Sequence, residues 1–195
     1  MKYQSKTFPQ KFCLLAGVGL LIAAAVVLIA WQWSIRAAAQ QAQDYVQTLR
    51  QLIPAPQGAV LEPRSDNRMS ALALEGTDFL GILEMPQHGA ALPVGADWGQ
   101  SSKYPCRFSG SIYDGSMEIG TTSQAGQFDF YENISVGDKL LFTDMAGNRY
   151  AYAVTNVRYV QHADQSALQR DDAALTVFIK NVFSLEYIIL SCDIP

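Results

Sequence analysis

Leu140-Leu141-Phe142-Thr143-Asp144-Met145-Ala146-Gly147-Asn148-Arg149-Tyr150-Ala151-Tyr152-Ala153-Val154-Thr155 is the stretch that decides the fold. Its middle, from Asp144 to Asn148, supplies turn residues between two apolar arms, residues 140–143 and 149–160. That pattern marks a β-hairpin. In the second arm Tyr150, Tyr152 and Val154 alternate with Arg149, Ala151, Ala153 and Thr155, the period of two by which a strand sorts its faces. Tyr150 and Tyr152 are therefore expected in the core or on a sheet face. Working outward, residues 79–85 are apolar and stopped by Pro86, while residues 175–179 and 187–191 are rich in β-branched and aromatic side chains. All three read as strands. Many short strands, Gly-rich turns and little helix between them predict a β-barrel or sandwich over residues 71–195. No internal repeat occurs.

Toward the N-terminus the chain changes character. Residues 12–33 are almost wholly apolar, and no charge follows until Arg36. Such a run rises about 30 Å as a helix, enough to cross a hydrocarbon core. Lys2, Lys6 and Lys11 precede it, and Arg36 alone follows closely. The positive-inside bias then places residues 1–11 in the cytoplasm and the domain outside, as a single-pass protein of the cell membrane. Trp31 and Trp33 fall where an interfacial aromatic belt would sit. Ala37-Ala38-Ala39 leaves a cleaved signal peptide open, but the apolar run exceeds a usual signal segment, so a retained anchor is expected. Residues 34–53, Ala- and Gln-rich without Gly or Pro, read as a stalk helix with Tyr45, Leu49 and Leu52 on one edge. That seam is too short for a specific coiled coil. Pro54 and Pro56 end it, and residues 54–70 read as a linker.

The chain has 195 residues, a net charge of −4 and 49% hydrophobic residues, which suits one modest domain with a core. With no basic stripe to neutralise phosphates, a nucleic-acid partner is not expected. No Gly-rich phosphate loop or clustered Cys/His spacing occurs, and the histidines are only His88 and His162. Neither a metal nor a cofactor is expected. Cys13 lies in the apolar run and reads as a small hydrophobe. Cys106 and Cys192 would both lie outside, where a disulfide can persist.

Several motifs, in order and without gaps, carry a family resemblance. Pro105-Cys106-Arg107-Phe108-Ser109-Gly110-Ser111 resembles the Pro-Cys-Arg-aromatic-Ser-Gly-Ser segment of clostridial-type, class B-like sortases. Ile119-Gly120-Thr121-Thr122 stands where that family reads Ile-Ala-Gly-His, and Leu175-Thr176-Val177-Phe178-Ile179-Lys180 where it reads Leu-Thr-Leu-Phe-Thr-Cys. Phe79-Leu80-Gly81-Ile82-Leu83, Leu92-Pro93-Val94, Gln127-Phe128 and Val136-Gly137-Asp138-Lys139-Leu140 resemble further family motifs. The likeness spans residues 78–193. It implies a mainly β domain, an eight-stranded closed barrel, behind one transmembrane helix and a short stalk helix.

A sortase attacks a sorting-signal peptide with a cysteine thiolate, moves protons with a His and steadies the substrate carbonyl or its oxyanion with an Arg. Carried over position by position, the His slot holds Thr122, the Cys slot Lys180 and the Arg slot Tyr187. A Thr hydroxyl has no proton to exchange at neutral pH, and a lysine amine normally holds its own. Loss of such a constellation costs on the order of 10⁶ in turnover. A lysine ending a buried strand could act as a nucleophile if its site stripped that proton, but a solvated strand-end lysine is the simpler reading. His88 and His162 lie in loops away from the acid slot and read as exposed bystanders. Asn133-Ile134-Ser135 fits a glycosylation sequon, but the resemblance is to a bacterial family, so the match reads as chance.

A second frame competes. Ile188-Ile189-Leu190-Ser191-Cys192-Asp193 also resembles the Thr-Leu-Ser-Thr-Cys-Asp of class B sortases, which would make Cys192 the nucleophile, yet only three residues follow and none can be the Arg. Otherwise Cys192 closes the last strand, where it either pairs with Cys106 or stays a free buried thiol. Such a disulfide would close a long loop, worth about 4 to 5 kcal/mol in the chain-entropy model. The resemblance thus implies a sortase-family protein without its triad, serving as a non-catalytic peptide-binding or scaffolding module in surface-protein or pilus assembly. Its partners would be the membrane and sorting-signal peptides, surface proteins or an active sortase. An active cysteine transpeptidase using Cys192 is the alternative.

Overall fold

The computed structural model of the chain describes residues 8–55, 68–101, 103–124, 126–161, 172–184 and 186–195. His162 and Pro56 lie outside them. The chain divides into two compact units, Met1–Ala37 and Ala38–Pro195. One helix, α1 (Phe8–Leu52), contributes to both. Its first part includes a stretch long and apolar enough to cross a membrane. From Leu20 to Ile53 the sequence has no Gly or Pro to interrupt the helix, Arg50 complements the dipole in its last turn, and Pro54 follows.

Among the described residues the second unit has nine strands: β1 (Leu72–Leu74), β2 (Thr77–Met85), β3 (Ala90–Gly95), β4 (Cys106–Ser109), β5 (Met117–Thr122), β6 (Lys139–Asp144), β7 (Arg149–Val160), β8 (Leu175–Lys180) and β9 (Tyr187–Asp193). Their order is β1-β2-β3-β4-β5-β8-β9-β7-β6. A further antiparallel pairing of β2 with β6, Gly81 opposite Asp144 through Glu84 opposite Leu141, closes β2 to β9 into an eight-stranded barrel. The short β1 adds to β2. Closure removes the free edges that an open sheet would leave.

The hairpin of β6 and β7 folds as its residues dictate. Phe142 pairs with Tyr150 and Leu140 with Tyr152, while Tyr150, Tyr152 and Val154 are buried and the side chains between them are more exposed. The buried Asp144 carboxylate fixes the turn by accepting the N–H groups of Ala146 (2.9 Å) and Asn148 (2.8 Å). Inside the barrel, Leu83, Met85, Met117, Ile119, Leu140, Phe142, Leu175, Val177, Ile179, Ile188 and Leu190 form one cluster. Fully burying each such side chain is worth about 1.5–3 kcal/mol.

A second cluster lies on the outside of the barrel, where the C-terminal part of α1 packs. Ala42, Tyr45, Val46 and Leu49 are buried at the i, i+3, i+4, i+7 spacing of one helix face. Tyr45, Val46 and Leu49 meet Phe79, Ile82, Tyr104 and Cys106. The rings of Tyr45 and Phe79 are 5.0 Å apart, and those of Phe79 and Tyr104 5.2 Å. The helix expected over residues 34–53 is thus continuous with the apolar run, and from Ala38 onward it belongs to the barrel unit. Leu52, read from sequence as part of the apolar edge, is exposed, and Val46 and Ala42 take its place.

Candidate functional site

Strand register brings Thr122, Lys180 and Tyr187 together. Parallel β5 and β8 place Thr122 beside Lys180, and antiparallel β8 and β9 place Lys180 beside Tyr187. Neighbouring strands lie about 4.8 Å apart, so the three residues form one row across the sheet. Alternation sets their direction. Ile119, Ile179 and Ile188 point into the core, which turns Thr122, Lys180 and Tyr187 to the outside. Here β5 and β8 end and β9 begins.

Gln127 holds the Thr122 end. Its buried Oε1 accepts the Thr121 hydroxyl at 2.8 Å and the Thr122 N–H at 3.1 Å. Phe128, fully buried, donates its N–H to the Thr122 carbonyl at 3.2 Å. These bonds fix the backbone but leave the Thr122 Oγ1 buried without a hydrogen-bond partner. Such a group ordinarily costs about 1–3 kcal/mol. At the Lys180 end, Asn181 caps the turn into β9: its N–H donates to the Glu186 carbonyl at 2.8 Å and its Oδ1 accepts the Phe183 N–H at 2.9 Å. Val182 donates to the Ser123 hydroxyl at 3.2 Å, tying the two turns together. Lys180 is exposed and enters none of the ion pairs among the described residues.

Beside the row lies an aromatic shelf. Two residues along each strand in the same direction across the sheet, Gly120, Phe178 and Ile189 form the next outward row. The Trp98 ring rests against Gly120, where a Cβ would come within 2.0 Å of it. Ring centroids separate Trp98 from Phe108 by 5.0 Å, Trp98 from Phe178 by 5.5 Å and Phe108 from Phe178 by 5.2 Å. Trp98 is 41% exposed and Phe108 50%, while Phe178 beneath them is buried. Sequence reasoning missed Trp98, because its loop is far from β5 in the chain. The Gly at position 120 was the one trace of it.

The cysteines stand elsewhere. Cys192 points into the barrel core, wholly buried, and burial, with Asp193 adding, pushes its thiol up to about 12. Cys106 is buried under α1, where burial, with Asp97 adding, also pushes it up to about 12. Both are free thiols. The disulfide weighed from sequence is not formed: Cys106 on β4 and Cys192 on β9 are three strands apart in the sheet order. That is about 14 Å of sheet, against the roughly 4.4–6.8 Å between Cα atoms that a disulfide spans. His88 also corrects its expectation of exposure. Its side chain is 12% exposed. It stacks on Phe130 at 4.9 Å and places Nε2 2.8 Å from the Asp138 carboxylate. Among the described residues no three His, Cys, Asp or Glu side chains gather as metal ligands.

No family model and no curated protein sequence matches this chain. Solved structures do. Sortase A from Listeria monocytogenes matches with a TM-score of 0.51 at 16% identity, over 60% of this chain and 87% of that one. A lid mutant of sortase A from Corynebacterium diphtheriae matches with a TM-score of 0.51 at 16% identity, over 84% and 92%. A sortase D5 transpeptidase from Clostridium perfringens gives 0.51 at 12%, over 60% and 79%. The barrel expected from the sequence motifs is therefore a sortase-like fold, and the likeness extends to the fold alone.

Proposed function

We propose that this chain is a single-pass membrane protein whose extracytoplasmic sortase-like barrel binds an extended peptide without cleaving it, serving surface-protein or pilus assembly as a binding or scaffolding module. One observation carries the reading. The three positions assigned by resemblance to the His, Cys and Arg of a transpeptidase adjoin one another in the sheet, and they hold Thr122, Lys180 and Tyr187. On that assignment the three positions stand together and carry different side chains.

Two further facts support it. Cys192, the other cysteine that could attack a peptide, is wholly buried, with its thiol pushed up to about 12, so little thiolate exists near neutral pH. The shelf of Trp98 and Phe108 beside the row gives an extended chain an apolar surface to lie on. One matching structure, a Clostridium perfringens sortase C with a TM-score of 0.50, was solved with the C-terminal cell wall sorting motif, which makes a sorting-signal peptide the first ligand to try. The lysines before the apolar run favour a cytoplasmic N-terminus; most of the linker expected over residues 54–70 lies outside the described residues. Anisotropy titration of labelled sorting-signal peptides with the full chain in detergent micelles tests the reading, with cleavage followed in the same samples. Binding without cleavage is expected. Cleavage that disappears on Cys192→Ala would overturn it.

A further inference from the structure

We propose that the Thr122–Lys180–Tyr187 row is a receptor for the C-terminal carboxylate of the bound peptide, an inference that rests on the peptide-binding reading above. The row consists of hydrogen-bond donors short of an acceptor. Lys180 offers an ammonium, exposed and outside every ion pair among the described residues. The Thr122 Oγ1 is buried with no partner, and no hydrogen bond involves the Tyr187 hydroxyl among the described residues. A carboxylate supplies what all three lack: two oxygens with about four acceptor sites and a charge opposite to the lysine's. Hydrogen bonds to such a charged acceptor are roughly twice as strong as neutral ones.

No carboxylate among the described residues pairs with Lys180. Glu186 accepts Gln161 Nε2 at 3.0 Å and the Ser184 hydroxyl at 3.1 Å, and Glu118 accepts the Ser109 hydroxyl. Geometry selects a chain terminus over an internal acidic side chain. The shelf of Gly120, Phe178, Trp98 and Phe108 lies on one side of the row, and on the other side the chain leaves β5 and β8 through the turns that Ser123 and Val182 join, with Phe183 exposed on the second. A peptide lying on the shelf sets apolar side chains against Trp98 and Phe108 and meets the row with its end.

The test compares three fluorescein-labelled versions of one short peptide ending in Phe-Leu, by anisotropy against the full chain in detergent micelles: the free acid, its C-terminal amide, and the amide with an internal Glu. The free acid should bind roughly tenfold tighter than either amide. Lys180→Gln should erase that preference, Lys180→Arg should keep most of it, and Thr122→Val should reduce it severalfold. Added salt should also shrink it. Equal binding of acid and plain amide would overturn the carboxylate receptor while leaving the peptide groove standing. A Glu-containing amide that matches the free acid would overturn the terminus. If none of the three binds and sorting-signal peptides fail as well, the groove reading itself falls.

Discussion

The Trp98 ring and Gly120 are in direct contact, so close that one added methyl at position 120 would sit 2.0 Å from the ring carbons. Phe178 closes the same space, 2.6 Å from that methyl. Gly120→Ala must therefore displace Trp98 from the shelf. Overpacking of this kind costs about 1–3 kcal/mol, so the variant should melt several degrees lower and lose affinity for peptide. An unchanged melting temperature would show that Trp98 does not rest there.

His88 and Asp138 tie the turn before β3 to the turn before β6. Burial acts to raise the Asp138 carboxyl, but the Ser135 N–H and His88 outweigh it and hold the group below the usual carboxylate range. A depressed carboxylate stabilises the fold at pH above its unfolded value near 4 and loses that contribution as pH falls through its folded value. Asp138→Asn should therefore destabilise the domain by about 1–2 kcal/mol at pH 7. In urea melts, the gap from the parent should narrow below about pH 4. A gap that stays constant from pH 7 to pH 3 would contradict the assignment.

Cys106 and Cys192 are both free and wholly buried. In a Cys13→Ala background, neither thiol should react with a maleimide at pH 7 in the folded protein, and both should react once it is denatured. Fast labelling of native Cys192 would place it at a surface. Absence of free thiols after non-reducing denaturation would indicate a disulfide.

Leu49 is fully buried between α1 and the barrel. Leu49→Ala should cost about 2–5 kcal/mol, measured as a lower urea midpoint. Leu52→Ala, three residues on but exposed, should change it by less than about 0.5 kcal/mol.

Much of the barrel was legible because period-two alternation is a local signal: Tyr150, Tyr152 and Val154 announce a half-buried strand without reference to anything distant. The gapless order of motifs then gave strand count and closure. The row of Thr122, Lys180 and Tyr187 follows from the motifs, but the adjacency of Thr122 to Lys180 depends on register between strands more than fifty residues apart in sequence, which no local pattern encodes. Trp98 escaped for the same reason. Leu52 was misread because a stripe at i, i+4, i+7 and one at i, i+3, i+4, i+7 overlap on a helix, and only the facing surface chooses between them. His88 reads as an exposed loop residue in sequence because nothing near it in the chain shows that Phe130 and Asp138 fold over it.

The most direct measurement is turnover and binding of a fluorogenic sorting-signal peptide by the full chain in detergent micelles, with the Cys192→Ala variant alongside. On the proposed reading the chain should bind the peptide and release no product above buffer, and the variant should behave the same. Product formation by the parent chain that vanishes in Cys192→Ala would contradict the central claim.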